Sequence, residues 1–237
     1  MNFLSRKWNN KPLPDSILSY KYLRTSWSQF AEDLLLAEIL RDALSPGFYV
    51  DVGCYHPIIY SNTYLFYRRG WSGVCVDPSP VTATEWGNHR PRDIMVTAGV
   101  NSKESSMYYF QFDDNSPCNR LVSEEERPQL ESTLKPDRLS KINVLPLAQL
   151  LQQNVPAGKR IDLMSIDCEG LDLEVLKSND FDRFRPRALV VEDHDLSSET
   201  EIGVFMKSVG MRFVAQALIS KIFVDDSVQL PWKMKSS

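Results

Sequence analysis

Four short segments set the architecture of this chain: FYVDVG at 48–53, GVCVDPSP at 73–80, IDLMSIDCEG at 161–170 and RALVVEDH at 187–194. Each is an apolar run that ends in an acidic residue, as in a buried parallel strand with a functional group at its carboxyl end. In an open α/β sheet, ligands bind outside those carboxyl ends. We therefore expect one crevice to collect the following acids and histidine: Asp51, Asp77, Asp167, Glu169, Glu192, Asp193 and His194.

Helical patterns alternate with these segments, which favours an α/β fold with a parallel sheet. A further strand is expected at 93–98, and two terminal segments at 211–218 and 221–226 are close enough to pair as a hairpin. The sequence therefore predicts a doubly wound, Rossmann-like sheet of seven mostly parallel strands. An antiparallel hairpin is expected at its edge and helices on both faces.

The 237 residues fit a single domain, 28–237, preceded by an irregular arm at 1–27. Two capping boxes, Ser26 with Gln29 and Ser198 with Glu201, predict the starts of two helices. Residues 113–141 are dense in charges and turn formers, and a loop of this length is typically a lid or a binding loop. We expect a lid there.

Charge and cysteine content restrict the partners and the compartment. A net charge of −4 lacks the basic character that binding a nucleic-acid backbone requires, so no nucleic-acid partner is expected. The four cysteines form no C-x-x-C pair, which fits free thiols in a reducing cytoplasm. No segment predicts a membrane span, and assembly into a homo-oligomer stays open.

Several cofactor and catalytic motifs are missing. The chain has no G-x-G-x-x-G fingerprint, phosphate-binding P-loop, G-x-S-x-G elbow or H-E-x-x-H helix, which disfavours dehydrogenases, P-loop enzymes, serine hydrolases and zincins. S-adenosylmethionine needs no pyrophosphate site. For it, Gly53 would allow close backbone approach, Asp77 would accept the ribose hydroxyls, Asp51 would hold the methionine end, and Gly99 would lie against adenine. Alternatively, Asp51 only caps a turn and Asp77 only precedes a loop.

Three stretches carry a family resemblance: 28–36, 51–80 and 161–194, with S-N-T after the first strand, G-W-S-G before the second, and the S-I-D-C-E-G turn. They resemble the FkbM family of S-adenosylmethionine-dependent methyltransferases, which implies methylation of hydroxyl oxygens, often on sugars or polyketide products. The resemblance also implies that Asp51, Gly53, Asn62 and Asp77 line the cofactor. Gln29 or Asp33 would lie near its methionine end.

A hydroxyl acceptor must be activated, because it is nearly as weak an acid as water, whose pKa is about 15.7. His194 is the first candidate base and Glu169 the second. Alternatively, Asp167, Glu192 and Asp193 offer oxygens to Mg²⁺, an arrangement similar to that of metal-dependent macrolide-sugar O-methyltransferases. Glu169 is equally explained as an acid at a helix N-terminus, and His194 as an exposed capping residue.

The acceptor is therefore expected to be a small molecule or glycan bearing a hydroxyl. Two other functions remain open at this stage. One is a methyltransferase-like binding module without turnover, and the other is a nicotinamide-dependent oxidoreductase, which the missing glycines disfavour.

Overall fold

The structure is a computed structural model that describes residues 23–41, 46–113, 116–197 and 199–230. Eleven strands lie in these ranges: β1 (Phe48–Val52), β2 (Ser72–Asp77), β3 (Ile94–Thr97), β4 (Gly99–Val100), β5 (Ser105–Gln111), β6 (Arg120–Val122), β7 (Arg138–Leu145), β8 (Ile161–Ile166), β9 (Pro186–Glu192), β10 (Met211–Ala217) and β11 (Ser220–Asp225). The same ranges hold seven helices: α1 (Glu32–Ile39), α2 (Tyr64–Arg68), α3 (Pro80–His89), α4 (Arg127–Leu134), α5 (Leu147–Asn154), α6 (Asp172–Lys177) and α7 (Glu201–Ser208).

The main sheet has seven strands in the order β10-β11-β9-β8-β1-β2-β3. The pairs from β9 to β3 are all parallel, and β11 pairs antiparallel with both β9 and β10. The strand order reverses at β1, which lies between β2 and β8. A mixed, mostly parallel α/β sheet is therefore confirmed, with its ligand crevice expected at this reversal.

Two hydrophobic clusters cover the faces of the sheet. Phe48, Val50 and Val52 of β1 pack in one cluster with α5, α6 and α7. Tyr49, the intervening residue, packs in the other cluster with α1, α2 and α3. The alternation of side chains along a strand buried on both faces explains why β1 is apolar nearly throughout.

A second sheet follows β3, in the order β4-β7-β5-β6. The predicted strand at 93–98 ends at Thr97, and Gly99 and Val100 belong to this second sheet. Residues 113–141 contain β6, α4 and the start of β7, so much of the charged segment has regular structure. Strands β6 and β7 each pair antiparallel with β5, which provides partners for their backbone amide and carbonyl groups.

The predicted capping box at Ser26 is wrong. The first helix begins at Glu32 after Ala31, and the Ser26 hydroxyl donates instead to the Asp33 carboxylate at 2.6 Å. The second box falls partly on Ser198, outside the described residues, and α7 is capped by Thr200, which accepts from the Gly203 amide at 3.1 Å. Most of the predicted arm, residues 1–22, also lies outside the description.

No helix in the described ranges has both the length and the apolar character needed to cross a membrane.

Candidate functional site

A cavity of about 490 Å³ opens at the carboxyl ends of β1, β2, β8 and β9. Ten of the predicted site residues line it: Gln29, Asp51, Gly53, Asn62, Asp77, Gly99, Asp167, Glu169, Glu192 and His194. Two predicted residues, Asp33 and Asp193, are not part of its lining. The strand ends thus bring most of the sequence candidates together, as the doubly wound topology requires.

Gly53 forms the closest backbone approach in the cavity floor. Its φ of +72° lies in the left-handed region, where a glycine is favoured. A Cβ at this position would lie 1.7 Å from the carbonyl oxygen of Asp167. Only glycine therefore allows the turn after β1 to pack against the turn after β8.

Asp51 is almost fully buried beneath this turn. Its carboxylate accepts a hydrogen bond from the Thr63 hydroxyl, and the neighbouring Asn62 side chain donates to the Ser165 hydroxyl at 3.1 Å. Burial raises the pKa of Asp51, while Arg90 and the Thr63 hydrogen bond oppose that rise. The carboxylate is thus held by the protein itself at the edge of the cavity.

Asp77 ends β2 and accepts two backbone hydrogen bonds, from the Tyr55 amide at 3.1 Å and the Ser79 amide at 2.8 Å. Each bond uses a different carboxylate oxygen, so each oxygen keeps capacity to accept another. Burial raises the pKa of Asp77 to about 6. This geometry suits a carboxylate that accepts hydrogen bonds from two neighbouring hydroxyl groups.

Strands β5 and β6 of the second sheet supply a further wall of the cavity. Tyr109, Asn119 and Leu121 line the cavity from β5, β6 and the connection between them. Gly99 of β4 pairs with Val144 in the same sheet, and a Cβ at Gly99 would lie 2.6 Å from the Val144 side chain and 2.9 Å from Leu121. Sequence reasoning missed this wall, because the pairing of the second sheet is not visible in a charged segment.

The acidic cluster differs from the predicted one. Oxygens of Asp167, Asp172 and Glu192 lie within 4.8 Å of one another. Asp193 faces elsewhere: it accepts from the Thr200 hydroxyl at 2.6 Å and pairs with the buried Lys221 ammonium at 3.0 Å. Strand β9 ends at Glu192, and the Asp193 side chain after it is engaged by Thr200 and Lys221 rather than by the acidic cluster.

Burial raises the pKa of all three clustered acids. The pKa of Glu192 rises to about 7 and that of Asp172 to about 6, while Asp167, beside Glu192, is raised well above its usual range. Asp172 accepts from the amides of Cys168 and Gly170 at the start of α6. Oxygen Oε2 of Glu192 is buried with no hydrogen-bond partner in the described chain.

The two candidate bases occupy different environments. Glu169 has a left-handed φ of +54° and accepts a hydrogen bond from Arg120 of β6. Its pKa is raised by burial, against the opposing effect of Arg120. His194 is 68 % exposed, and its Nε2 lies 3.4 Å from Oε1 of Glu192. His194 therefore lies within ion-pair distance of the acidic cluster.

Gln29 and Asp33, the two candidates for the methionine end, are separated by the structure. Gln29 lines the cavity. Asp33 is buried and accepts from Ser26, the Trp27 amide and Ser28 at 2.6, 2.9 and 3.0 Å. Its carboxylate is used to hold the segment before α1, so only Gln29 stays a candidate.

The sheet order reverses at β1 and the cavity opens at the carboxyl ends of its strands, which is where an open α/β sheet binds a nucleotide-type cofactor. The model of the family described as the methyltransferase FkbM domain matches residues 51–213, more than half of the chain. The chain belongs to this family, and it is an S-adenosylmethionine-dependent methyltransferase.

Among solved structures, the chain is similar to a TehB-like SAM-dependent methyltransferase from Corynebacterium glutamicum. The two share 11 % sequence identity and a TM-score of 0.35, over 82 % of this chain and 87 % of the other. A comparison with curated proteins found no match.

Proposed function

We propose that this methyltransferase transfers the methyl group of S-adenosylmethionine to a hydroxyl oxygen of a sugar, glycan or glycosylated small molecule. The observation that carries the proposal is the arrangement of the cavity. On one side lies Asp77, a buried carboxylate that can accept hydrogen bonds from the ribose hydroxyls. On the other lies a group of titratable side chains with raised pKa values. A weakly acidic hydroxyl needs such a group beside the methyl donor.

The cofactor would occupy the side of the cavity formed by β1, β2 and β4. When bound, S-adenosylmethionine supplies an electrophilic methyl group on a positively charged sulfur. Asp77 would accept the ribose hydroxyls, Asp51 and Gln29 would face the methionine end, and Gly99 would lie against adenine. Asn62 and Gly53 complete this side of the lining.

The acceptor would then lie toward β8 and β9. We assign His194 as the base that takes the hydroxyl proton, with Glu192 stabilising the imidazolium through their 3.4 Å contact. Glu169 is the second candidate base. To take a proton from the acceptor, it would first have to release its hydrogen bond from Arg120. Positioning of the hydroxyl against the methyl donor would contribute much of the acceleration.

A divalent cation fits the acidic cluster. Three carboxylates whose oxygens lie within 4.8 Å repel one another unless protons or a cation neutralise them, and one oxygen of Glu192 lacks a partner in the described chain. Asp167, Glu192 and Asp172 would hold Mg²⁺, with Asp172 in place of the predicted Asp193. Such an ion would lower the pKa of a hydroxyl bound to it.

Residues 113–141 are proposed as a lid over the acceptor side. Asn119 and Arg120 of this segment line the cavity, and Arg120 bonds to Glu169. A reducing, cytoplasmic location is proposed because all four cysteines are free thiols.

Thermal unfolding tests the cofactor assignment. S-adenosylmethionine and S-adenosylhomocysteine should raise the melting temperature and NAD should not, because only ligands of the native state stabilise it. Asp77→Ala should reduce the shift, whereas Asp182→Ala, which removes an exposed carboxylate outside the cavity, should keep it. Equal shifts in wild type and Asp77→Ala would remove Asp77 from the site.

Turnover tests the acceptor class. Purified enzyme would be incubated with methyl-labelled cofactor and a panel of hydroxylated glycosides, with amines and thiols of similar size as comparison acceptors. Label on a glycoside hydroxyl supports the proposal. Label only on an amine or thiol would reject it, and cofactor binding without transfer to any member would favour a binding module.

A further inference from the structure

Arg90 and Asp93 form an ion pair that is fully buried below the cavity. Arg90 Nε lies 2.7 Å from Asp93 Oδ2, and neither side chain is exposed to solvent. The guanidinium stacks over the Trp86 ring at 4.4 Å, while Asp93 also accepts from Tyr49 and the Trp86 indole. A buried pair is often no more stabilising than apolar residues of the same volume. Stability alone therefore does not account for this pair.

The other side of the guanidinium faces the loop after β1. Arg90 Nη1 donates to the Pro57 carbonyl at 3.3 Å and the Ser61 hydroxyl at 3.2 Å. Nη2 donates to the Thr63 hydroxyl oxygen at 3.0 Å. These bonds tie down both ends of the segment that carries Tyr60 and Asn62 into the cavity.

The contact with Thr63 also sets the direction of a second hydrogen bond. A guanidinium can only donate, so it occupies a lone pair of the Thr63 oxygen. The single hydroxyl proton of Thr63 is then directed to Asp51, its carboxylate partner. A chain of contacts thus runs from Asp93 through Arg90 and Thr63 to Asp51.

We infer that Arg90 is a positioning residue for the methyl donor: through Thr63 it orients the Asp51 carboxylate, and through Pro57 and Ser61 it holds the loop that presents Asn62. The inference rests on the proposed contact between Asp51 and the methionine end of S-adenosylmethionine. Arg90 itself does not line the cavity, so it acts only through these residues.

The test measures the dissociation constant of S-adenosylmethionine together with the melting temperature of the ligand-free protein. Thr63→Val keeps the shape of the side chain and removes the hydroxyl, and it should weaken cofactor binding about ten-fold, as expected for loss of a hydrogen bond to a charged group. Thr63→Ser keeps the hydroxyl and should restore binding to within about two-fold of wild type, since the hydrogen bond is retained.

Arginine variants provide the matched comparison. Arg90 and Arg92 both lie over the Tyr67 ring, at 5.2 and 3.7 Å. Arg92, however, donates to the carbonyls of Tyr67 and Trp71, away from the loop after β1. Arg90→Lys loses the forked contact with Ser61 and Thr63 and should weaken cofactor binding. Arg92→Lys should leave the dissociation constant unchanged even where its melting temperature falls.

Asp51→Asn distinguishes failure of the proposed Asp51 contact from failure of the positioning role of Arg90. If Asp51→Asn binds S-adenosylmethionine like wild type, the proposed Asp51 contact is wrong. If Asp51→Asn weakens binding but Thr63→Val does not, the positioning role of Arg90 is wrong. Equal losses in Thr63→Val and Thr63→Ser would also overturn it, because the hydroxyl would then be irrelevant. Unchanged binding in Arg90→Lys would overturn the inference as well, and should that variant fail to fold, the Thr63 pair still tests the Thr63 hydroxyl through which Arg90 reaches Asp51.

Discussion

Asp77 combines two opposing effects of pH at a single residue. Burial raises its pKa from 3.8 to about 6, so the native state binds the Asp77 proton more tightly than the unfolded chain. Ionisation in the native state therefore costs stability. This cost is absent below pH 4 and fully present above about pH 6, where it amounts to roughly 2 to 3 kcal/mol. The ionised carboxylate is, however, the better acceptor for ribose hydroxyls.

Asp77→Asn should expose this trade-off. As the pH rises from 4.5 to 7.5, wild type should lose stability because Asp77 ionises, whereas the variant has no such group to ionise. The free energy of unfolding of the variant, minus that of wild type, should therefore increase. Over the same range, the affinity of wild type for S-adenosylmethionine should increase. Urea unfolding and calorimetric titration at the two pH values measure both. A difference in stability that does not change with pH would contradict the raised pKa.

Site residues at strand ends could be predicted where an apolar run shows which end of the strand they follow. Gly53 and Asp77 follow apolar runs, and the carboxyl ends of parallel strands meet at one edge. Asp172 is not among the site residues that the sequence predicts, because an acid at a helix start is favourable whatever its function, yet the turn after β8 brings it into the acidic cluster. Arg90 lies in the polar run Asn-His-Arg-Pro-Arg, and nothing local indicates that this arginine is buried.

Among the secondary-structure elements, those of the second sheet within residues 113–141 could not be predicted from the sequence. The strands of the main sheet are apolar because both of their faces are covered. By contrast, β7 is largely exposed in its first residues, and α4 buries none of its residues. Such elements carry a weak hydrophobic period, so residues 113–141 resembled a loop. Strand β7 is instead specified by its pairing with β5, a contact between residues far apart in the sequence.

Helix α4 should be the first element to open. Elements with few buried apolar contacts have low local stability, and α4 has no buried residue. Trypsin is a poor probe, because Arg127 and Lys135 both precede proline. A glutamate-specific protease should cut first at Glu124–Glu126 or Glu131, with protection when cofactor and acceptor are both bound. First cleavage after Glu85 or Glu201 would show that this segment is more firmly packed than α3 or α7.

At the scale of the whole molecule, negative charge is concentrated in one cavity. The net charge is only −4, yet five lining residues are acids and Arg120 is the one arginine or lysine among the lining residues described. Those acids are Asp51, Asp77, Asp167, Glu169 and Glu192. A cleft lined by one sign of charge attracts ligands of the opposite sign. S-adenosylmethionine, with its sulfonium and ammonium groups, matches the cofactor side, and the remaining acids require a separate counter-charge.

A divalent cation would supply that counter-charge. Mn²⁺ or Mg²⁺ should bind metal-free protein at pH 7.5, and Asp167→Asn or Glu192→Gln should weaken binding by at least about ten-fold, as the loss of a metal ligand outweighs that of a supporting contact. Glu174→Gln is the matched control, because this acid of α6 pairs with Lys177 at 3.0 Å outside the cluster. Titration calorimetry, or the electron paramagnetic resonance of Mn²⁺, measures binding without any acceptor.

Once an acceptor is found, chelation should abolish transfer but leave cofactor affinity nearly intact, since Asp77 and Asp51 lie outside the cluster. Mg²⁺ or Mn²⁺ should restore activity, and Asp167→Asn should behave like the chelated enzyme. Full activity in excess chelator would reject the metal and mean that protons neutralise the three acids. His194→Ala would then test the base directly, because His194 lines the cavity and its Nε2 lies 3.4 Å from Glu192 Oε1.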